Sequence, residues 1–107
     1  MKRFISNYTI LSSGEEVVNH IITLNDDGTL QSIEPFDREL GNTIYVPQPL
    51  CVAATGDVTT VEQVFHESPS RDYFKKKLVG LNATKPLPGA LVAVVRLDFA
   101  NNILNQL

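Results

Sequence analysis

The stretch VVNHIITLNDDGTLQSIEPF, residues 17–36, holds two apolar runs on either side of the sequence NDDGT at 25–29. Asparagine suits the first position of a type I turn, and Gly28 can take the left-handed conformation that closes such a turn. The stretch therefore predicts a β-hairpin, with strands at 16–24 and 29–36.

The length of the loop sets the register of this hairpin. A three-residue loop with Gly28 at a bulge position places His20 opposite Glu34. A two-residue loop around Asp27-Gly28 would instead place His20 opposite Pro35, so this pair distinguishes the two loops. The three-residue loop also predicts the pairs Asn25–Thr29, Leu24–Leu30, Ile22–Ser32, Val18–Phe36, Ile21–Ile33 and Thr23–Gln31.

Strand and helix signals follow one another along the rest of the chain. We predict a helix from Thr59, whose capping box is completed by Glu62, to about residue 67. A second helix at 69–79 has Ser68 as its N-cap and Pro69 at its first position. This helix is expected to turn Tyr73, Phe74, Leu78 and Val79 inward and to end at Gly80. The remaining segments are predicted strands at 3–11, 43–46, 50–55 and 90–99, a polar turn at 37–42, and a tail at 101–107 that reads either as a helical turn or as a frayed end.

These elements predict an α+β fold, a mostly antiparallel, two-layer β-sandwich-like sheet with a short two-helix insertion. The run ALVAVVRLDF at 90–99 alternates weakly, which indicates a strand covered on both faces. The length predicts a single domain spanning 1–107. Within it, we expect a β-rich part at 1–56 with its hairpin at 16–36, a helical insertion at 57–80 and a closing strand at 88–100.

Composition excludes several classes of function. The chain has 107 residues, a formal net charge of −3 and a pI of about 5.2, which argues against nucleic-acid binding. A single cysteine excludes an intrachain disulfide and fits a reducing cytoplasm. No segment approaches the roughly 18 apolar residues of a membrane-spanning helix. We therefore expect a soluble, cytoplasmic protein with no nucleic-acid or membrane partner.

No residue constellation predicts chemistry. By residue type, a nucleophile pair would need Cys51 with His20 or His66, but Cys51 lies in an apolar run typical of a buried thiol. The chain has no His-x-His, HExxH or CxxC motif, and the acidic residues at 25–28 lack the spacing of a calcium loop. We expect no catalytic residue, no metal ligand and no cofactor.

One basic cluster stands out on the second predicted helix. It consists of Arg71, Lys75, Lys76 and Lys77. Lysines near a helix C-terminus interact favourably with the helix dipole, so a solvated face is the simpler interpretation. The alternative is a surface for an anionic ligand or a partner protein.

A set of short motifs lies at both ends of the chain. Its members are Ile10-Leu11, Gly14, residues 20–24, Asp26-Asp27-Gly28, Ile33-Glu34-Pro35, Tyr45-Val46-Pro47 and the run PGALVAV at 88–94. This set resembles the small β-sandwich domain of amidohydrolase-superfamily enzymes of the urease and dihydroorotase type. In that family a V-P-G-like stretch leads into the catalytic barrel, and a Gly-x-x-Ala-Asp-hydrophobic run returns to the sandwich. The resemblance covers about half of the chain and implies the sandwich fold.

The departures from that family bear on function. A metal-binding His-x-His should follow the segment at 45–47, but no histidine occurs before His66. About 40 residues separate the two sandwich pieces, against the roughly 250 of a catalytic barrel. We therefore expect a non-catalytic, stand-alone domain that acts by protein–protein contact or self-association, with 90–99 as a dimerisation edge unless that strand is central. The alternatives are a small hydrolase-related or ligand-binding protein, and a subunit that completes a metal-dependent hydrolase on another chain.

Overall fold

The structure is a computed structural model that describes residues 1–37, 41–81 and 83–107. Three of the residues predicted to form the polar turn at 37–42 therefore lie outside the described part of the chain. The elements are β1 (Lys2–Leu11), β2 (Glu16–Leu24), β3 (Leu30–Pro35), β4 (Thr43–Tyr45), β5 (Leu50–Ala54), α1 (Val58–His66), α2 (Arg71–Gly80), β6 (Val92–Asp98) and β7 (Ile103–Gln106). The predicted α+β class is confirmed, with the two helices inserted between β5 and β6.

The seven strands belong to one hydrogen-bonded sheet, in which six follow the order β3-β2-β1-β5-β6-β7 and β4 pairs with β1 outside this order. Strand β4 pairs in parallel with the first half of β1, and β5 pairs in parallel with the second half; the other pairings are antiparallel. The sheet is not closed, but it curls until the start of β3 meets the segment that leads into β6. There, Leu30 N donates to Ala90 O and Gly89 N donates to Leu30 O, both at 2.8 Å.

Two cores lie on opposite faces of this sheet. The first lies inside the curl and is built from strand residues and the short segments between strands, including Phe4, Leu11, Ile22 and Val94. The second lies under the helices, where Phe65 of α1 and Phe74 of α2 cover β5 and β6. Strand β6 contributes to both cores, so the prediction that it is covered on both faces is confirmed. Because β6 lies between β5 and β7, it is not an edge available for dimerisation.

The β1–β2 pair changes the face that it turns towards the first core near Asn19, whose backbone is in the left-handed conformation. Phe4 and Leu11 both lie in the first core although they are seven residues apart, a separation that a regular strand would place on opposite faces. The pairing runs from Ser6–His20 to Tyr8–Val18 around Asn19, whose φ is +54°. Asparagine tolerates this conformation better than most residues, so β2 can change face at this position.

The predicted hairpin turn forms, but the predicted register is wrong. Gly28 has a φ of +85°, its N–H donates to Asn25 O at 3.0 Å, and Leu24 pairs with Leu30 as expected. A β-bulge between Thr23 and Leu24 then shifts every later pair by one residue. The observed pairs are Thr23–Ser32, Ile22–Ile33, Ile21–Glu34 and His20–Pro35.

The bulge has a packing reason. It places Ile33 directly opposite Ile22, and both side chains pack in the first core. The predicted register would have placed Ser32 opposite Ile22 at that layer. Burial of apolar surface contributes about 25 cal/mol per Å², which favours the bulged pairing over a regular ladder. His20 therefore lies opposite Pro35, and Glu34 lies opposite Ile21.

Both predicted helix starts are wrong by one or two residues. A 3₁₀ turn at Thr55–Asp57 runs directly into α1, so Val58 N donates to Thr55 O and no capping box with Thr59 forms. Ser70, rather than Ser68, is the N-cap of α2, and its Oγ accepts a hydrogen bond from Tyr73 N at 3.3 Å. The Ser68 hydroxyl instead donates to Val64 O at 2.7 Å, which directs this side chain towards α1.

The end of α2 also departs from expectation. Gly80 is the last helical residue and Leu81 is the C-cap. Phe74 and Leu78 are buried as predicted, whereas Tyr73 and Val79 are exposed. The tail at 101–107 forms neither a helical turn nor a frayed end, because most of it is strand β7, which pairs with β6.

Candidate binding surfaces

Cys51 and His66 do not form a nucleophile pair. Cys51 lies on β5 with no exposed surface, packed in the second core, and this burial raises the pKa of its thiol to about 12. His66 lies at the exposed end of α1, where its Nδ1 is 3.2 Å from Asn102 Oδ1 and its Nε2 is 4.0 Å from Glu62 Oε1. A thiol that stays protonated at neutral pH is a poor nucleophile.

His20 and the turn at 25–29 have structural roles. His20 Nδ1 donates to Val18 O at 2.9 Å. Asp27 Oδ1 accepts hydrogen bonds from Thr29 N and Thr29 Oγ1 at 2.9 and 2.6 Å, and the hydroxyl bond is the main reason that the pKa of this carboxyl is lowered. Within the described residues, no three His, Cys, Asp or Glu side chains are grouped to hold a metal ion.

The basic cluster on α2 is divided among different contacts. Arg71 Nε lies 3.3 Å from Glu16 Oε2, and the Arg71 guanidinium stacks 3.6 Å from the centre of the Tyr8 ring. Lys75 Nζ lies 4.0 Å from Glu16 Oε1, while Lys77 lies 5.5 Å from the ring centre of Tyr73.

Lys76 lies beside a shallow recess that Asp72, Lys75 and Val79 also line. The Arg71–Glu16 contact is close enough for an ion pair but lacks hydrogen-bond geometry, so its attraction is electrostatic. Glu16 belongs to β2, so its contacts with Arg71 and Lys75 connect α2 to the sheet. These two cations already face a carboxylate.

The edge of the sheet at β7 is open. Leu107 N donates to Val94 O at 2.8 Å, and Asn105 lies opposite Arg96. Because an antiparallel ladder alternates, the backbone N–H and C=O groups of Leu104 and Gln106 point away from β6. Strand β7 contains no charged residue and no proline, the usual guards of an exposed edge.

The opposite edge of the sheet, at β3, is covered where that strand begins. The start of β3 hydrogen-bonds to the segment at 89–90, as described above, and β3 ends at Pro35, which follows the charged Glu34. The two ends of the sheet therefore differ in how far their backbone is available to another strand.

A cleft of about 610 Å³ lies between the two helices and the segment at 83–90. Val61 and Leu78 form its apolar floor and also belong to the second core. Asp57 and Thr60, at the start of α1, line one side. Leu81 and Leu87 also line it, and both are exposed to solvent.

The segment at 83–90 is fixed at several points. Ser12 Oγ donates to Thr84 O at 3.2 Å, and Lys85 Nζ lies 3.0 Å from Glu15 Oε2. Ala90 N donates to Leu87 O at 3.1 Å, and Ala90 O accepts from Leu30 N. These contacts hold in place the segment that forms one wall of the cleft. Sequence reasoning missed it because its walls come from four separate parts of the chain.

No protein-family model, curated protein or solved structure matches this chain. The resemblance to the sandwich domain of amidohydrolases therefore stays a prediction. Among the described residues, neither helix has the length and apolar character needed to cross a membrane.

Proposed function

We propose that this chain is a non-catalytic domain that self-associates by pairing β7 with β7 of a second copy. The proposal depends on the open edge of β7. This strand contains neither a charged residue nor a proline, the residues that usually prevent an edge strand from pairing with another chain. Pairing would extend the seven-stranded sheet across two copies.

The arrangement of outward-facing groups selects one register. Only Leu104 and Gln106 of β7 direct both backbone groups outward, so these residues must pair with each other across a two-fold axis. Leu104 opposite Gln106 gives two such pairs and four backbone hydrogen bonds, because each pair exchanges two. Sliding the strand by two residues loses one of these pairs. The axis then passes beside Asn105, which faces its own copy.

The test uses the position on the axis. Asn105 is exposed, and Asn105→Lys places two positive charges opposite each other in the dimer. The new lysine also lies opposite Arg96 of its own chain, so the free energy of unfolding of this variant is measured together with its mass. We expect light scattering of the parent protein at rising concentration to give twice the chain mass of 11.8 kDa. Asn105→Lys should give the monomer mass under the same conditions. Gln31→Lys places the same charge on the exposed surface of β3 and is the matched control, which should still dimerise.

A charge-swap experiment makes the test specific for the register. Asn105→Glu should also weaken the dimer, although Arg96 of the same chain offsets part of the repulsion between the two carboxylates. An equimolar mixture with Asn105→Lys should restore the dimer because opposite charges then face each other. A parent protein that stays monomeric up to millimolar concentration contradicts the proposal. A dimer that tolerates both Asn105 variants would show that another surface mediates association.

A further inference from the structure

We infer that the cleft between the helices and the segment at 83–90 binds a small amphipathic cation, a molecule with an apolar body and one ammonium group. The inference is independent of self-association through β7, since the cleft lies on the helix-covered side. Its volume of about 610 Å³ falls within the range of small-ligand sites, roughly 300–1,000 Å³.

The apolar part of the ligand is indicated by the floor of the cleft. Val61 and Leu78 reach it from the second core, and alanines at positions 54, 83 and 90 leave the space above them. The exposed side chains of Leu81 and Leu87 would lose solvent-exposed apolar surface when such a body enters. Because hydrogen bonds and the Lys85–Glu15 ion pair tether the segment at 83–90, little conformational entropy opposes the association.

The sign of the ligand charge follows from the two charged residues that line the cleft, Asp57 and Lys85. Lys85 already pairs with Glu15 at 3.0 Å. The Asp57 side chain does not cap α1, although it occupies the N-cap position, and it forms no ion pair within the described part of the chain. Asp57 is half-buried, and its carboxylate is therefore the charge in the cleft that a cationic ligand would neutralise. The helix N-terminus favours anions, but the adjacent carboxylate opposes them.

The test compares three probes with one body and different head groups: 4-phenylbutylammonium, 4-phenylbutanol and 4-phenylbutyrate. We expect the ammonium compound to bind with a dissociation constant about three- to fivefold below that of the alcohol, the gain of one partly exposed ion pair. The carboxylate compound should bind most weakly. Two-dimensional amide NMR measures the affinities and should place the shifted resonances at 57–61 and 83–90.

Asp57→Asn should abolish the difference between the ammonium and alcohol probes while leaving alcohol binding unchanged. Asparagine is also a favourable N-cap residue, so this variant should fold normally. Asp72→Asn is the matched control, because it removes the same charge from an exposed position on α2 that does not line the cleft. It should keep the ammonium preference.

Ala83→Leu should weaken all three probes by filling the cleft. Several results would overturn the inference: no binding by any probe, tighter binding of the carboxylate, or shifts centred elsewhere on the protein. An ammonium preference that survives Asp57→Asn would overturn it as well.

Discussion

Gly14→Ala should strongly destabilise the fold, because glycine meets two separate demands at this position. Gly14 lies in the turn between β1 and β2 with a φ of +90°, a region that side chains rarely adopt. It also lies against the C-terminal half of α2. An added Cβ would collide with Val79 Cγ2 and would lie 2.9 Å from Val79 N and 3.1 Å from Lys75 O.

Two other glycines allow these demands to be separated. Gly89 has a φ of +93° with nothing within 4 Å of an added Cβ, so Gly89→Ala reports backbone strain alone, about 1–2 kcal/mol. Gly56 has neither constraint, and Gly56→Ala should be neutral or stabilise by up to about 1 kcal/mol. Gly14→Ala combines the strain with overpacking of about 1–3 kcal/mol, so its total cost should be about 2–5 kcal/mol.

Urea unfolding followed by far-ultraviolet circular dichroism measures these free energies, since the chain has no tryptophan. A loss of about 2–5 kcal/mol is a large share of the roughly 5–15 kcal/mol that stabilises an ordinary domain. Val79→Ala removes the nearest colliding atom, so it should recover part of the loss in the Gly14→Ala background. If Gly14→Ala and Gly89→Ala cost the same, α2 does not pack against the turn as described, and the reasoning fails.

Three further predictions concern the buried thiol of Cys51 and the ion pairs of Glu16 and Glu15. Because burial raises the Cys51 pKa to about 12, this thiol should resist iodoacetamide at pH 8 in the folded protein and react once urea unfolds it; labelling of the folded chain would contradict its burial. The thiol has a pKa of about 9 in the unfolded chain and about 12 in the folded chain, so the unfolded chain loses this proton at lower pH. The free energy of unfolding should therefore fall as the pH rises from about 9 towards 12. Glu16→Gln removes the carboxylate that faces both Arg71 and Lys75 and should cost about 1–2 kcal/mol of unfolding free energy, the attraction of two partly buried ion pairs. Glu15→Gln breaks a pair whose side chains are 48% and 50% exposed and should cost less than about 1 kcal/mol; equal losses would argue against the Arg71 contact.

The sequence could predict features that depend on neighbouring residues. The turn at 25–29 forms as expected because Gly28 and Asp27 supply its geometry locally. The bulge in β2 and β3 was not foreseen because it depends on which residues the first core can accept, a property of the whole sheet. The helix starts differ from the prediction for a related reason. A 3₁₀ turn precedes α1, and the bond from Ser68 to Val64 O directs the Ser68 side chain towards α1 rather than α2.

The sequence contains a signal for strand β7. Asn101 and Asn102 follow the β-rich run, and paired asparagines are typical of a tight turn. In the structure Asp98 Oδ1 accepts from Asn101 N at 3.2 Å, and Asn102 has a φ of +55°. These residues return the chain as β7 beside β6. Reading them as a hairpin turn would have identified both the last strand and the true edge of the sheet.

The location of that edge changes what self-association requires. A dimer formed through β6 would need β7 to detach, exposing residues of the second core that Leu104 packs against. Pairing through β7 requires no such rearrangement, because its outward backbone groups already face solvent in the monomer. Strand β7, which covers the edge of β6, therefore supplies the dimerisation edge that was predicted for 90–99.

The cleft depends on α2 rather than on β7. Helix α2 can approach the β1–β2 turn because residue 14 is a glycine. Asn105→Lys should consequently leave probe binding intact, whereas Gly14→Ala should weaken it without moving the dimer axis.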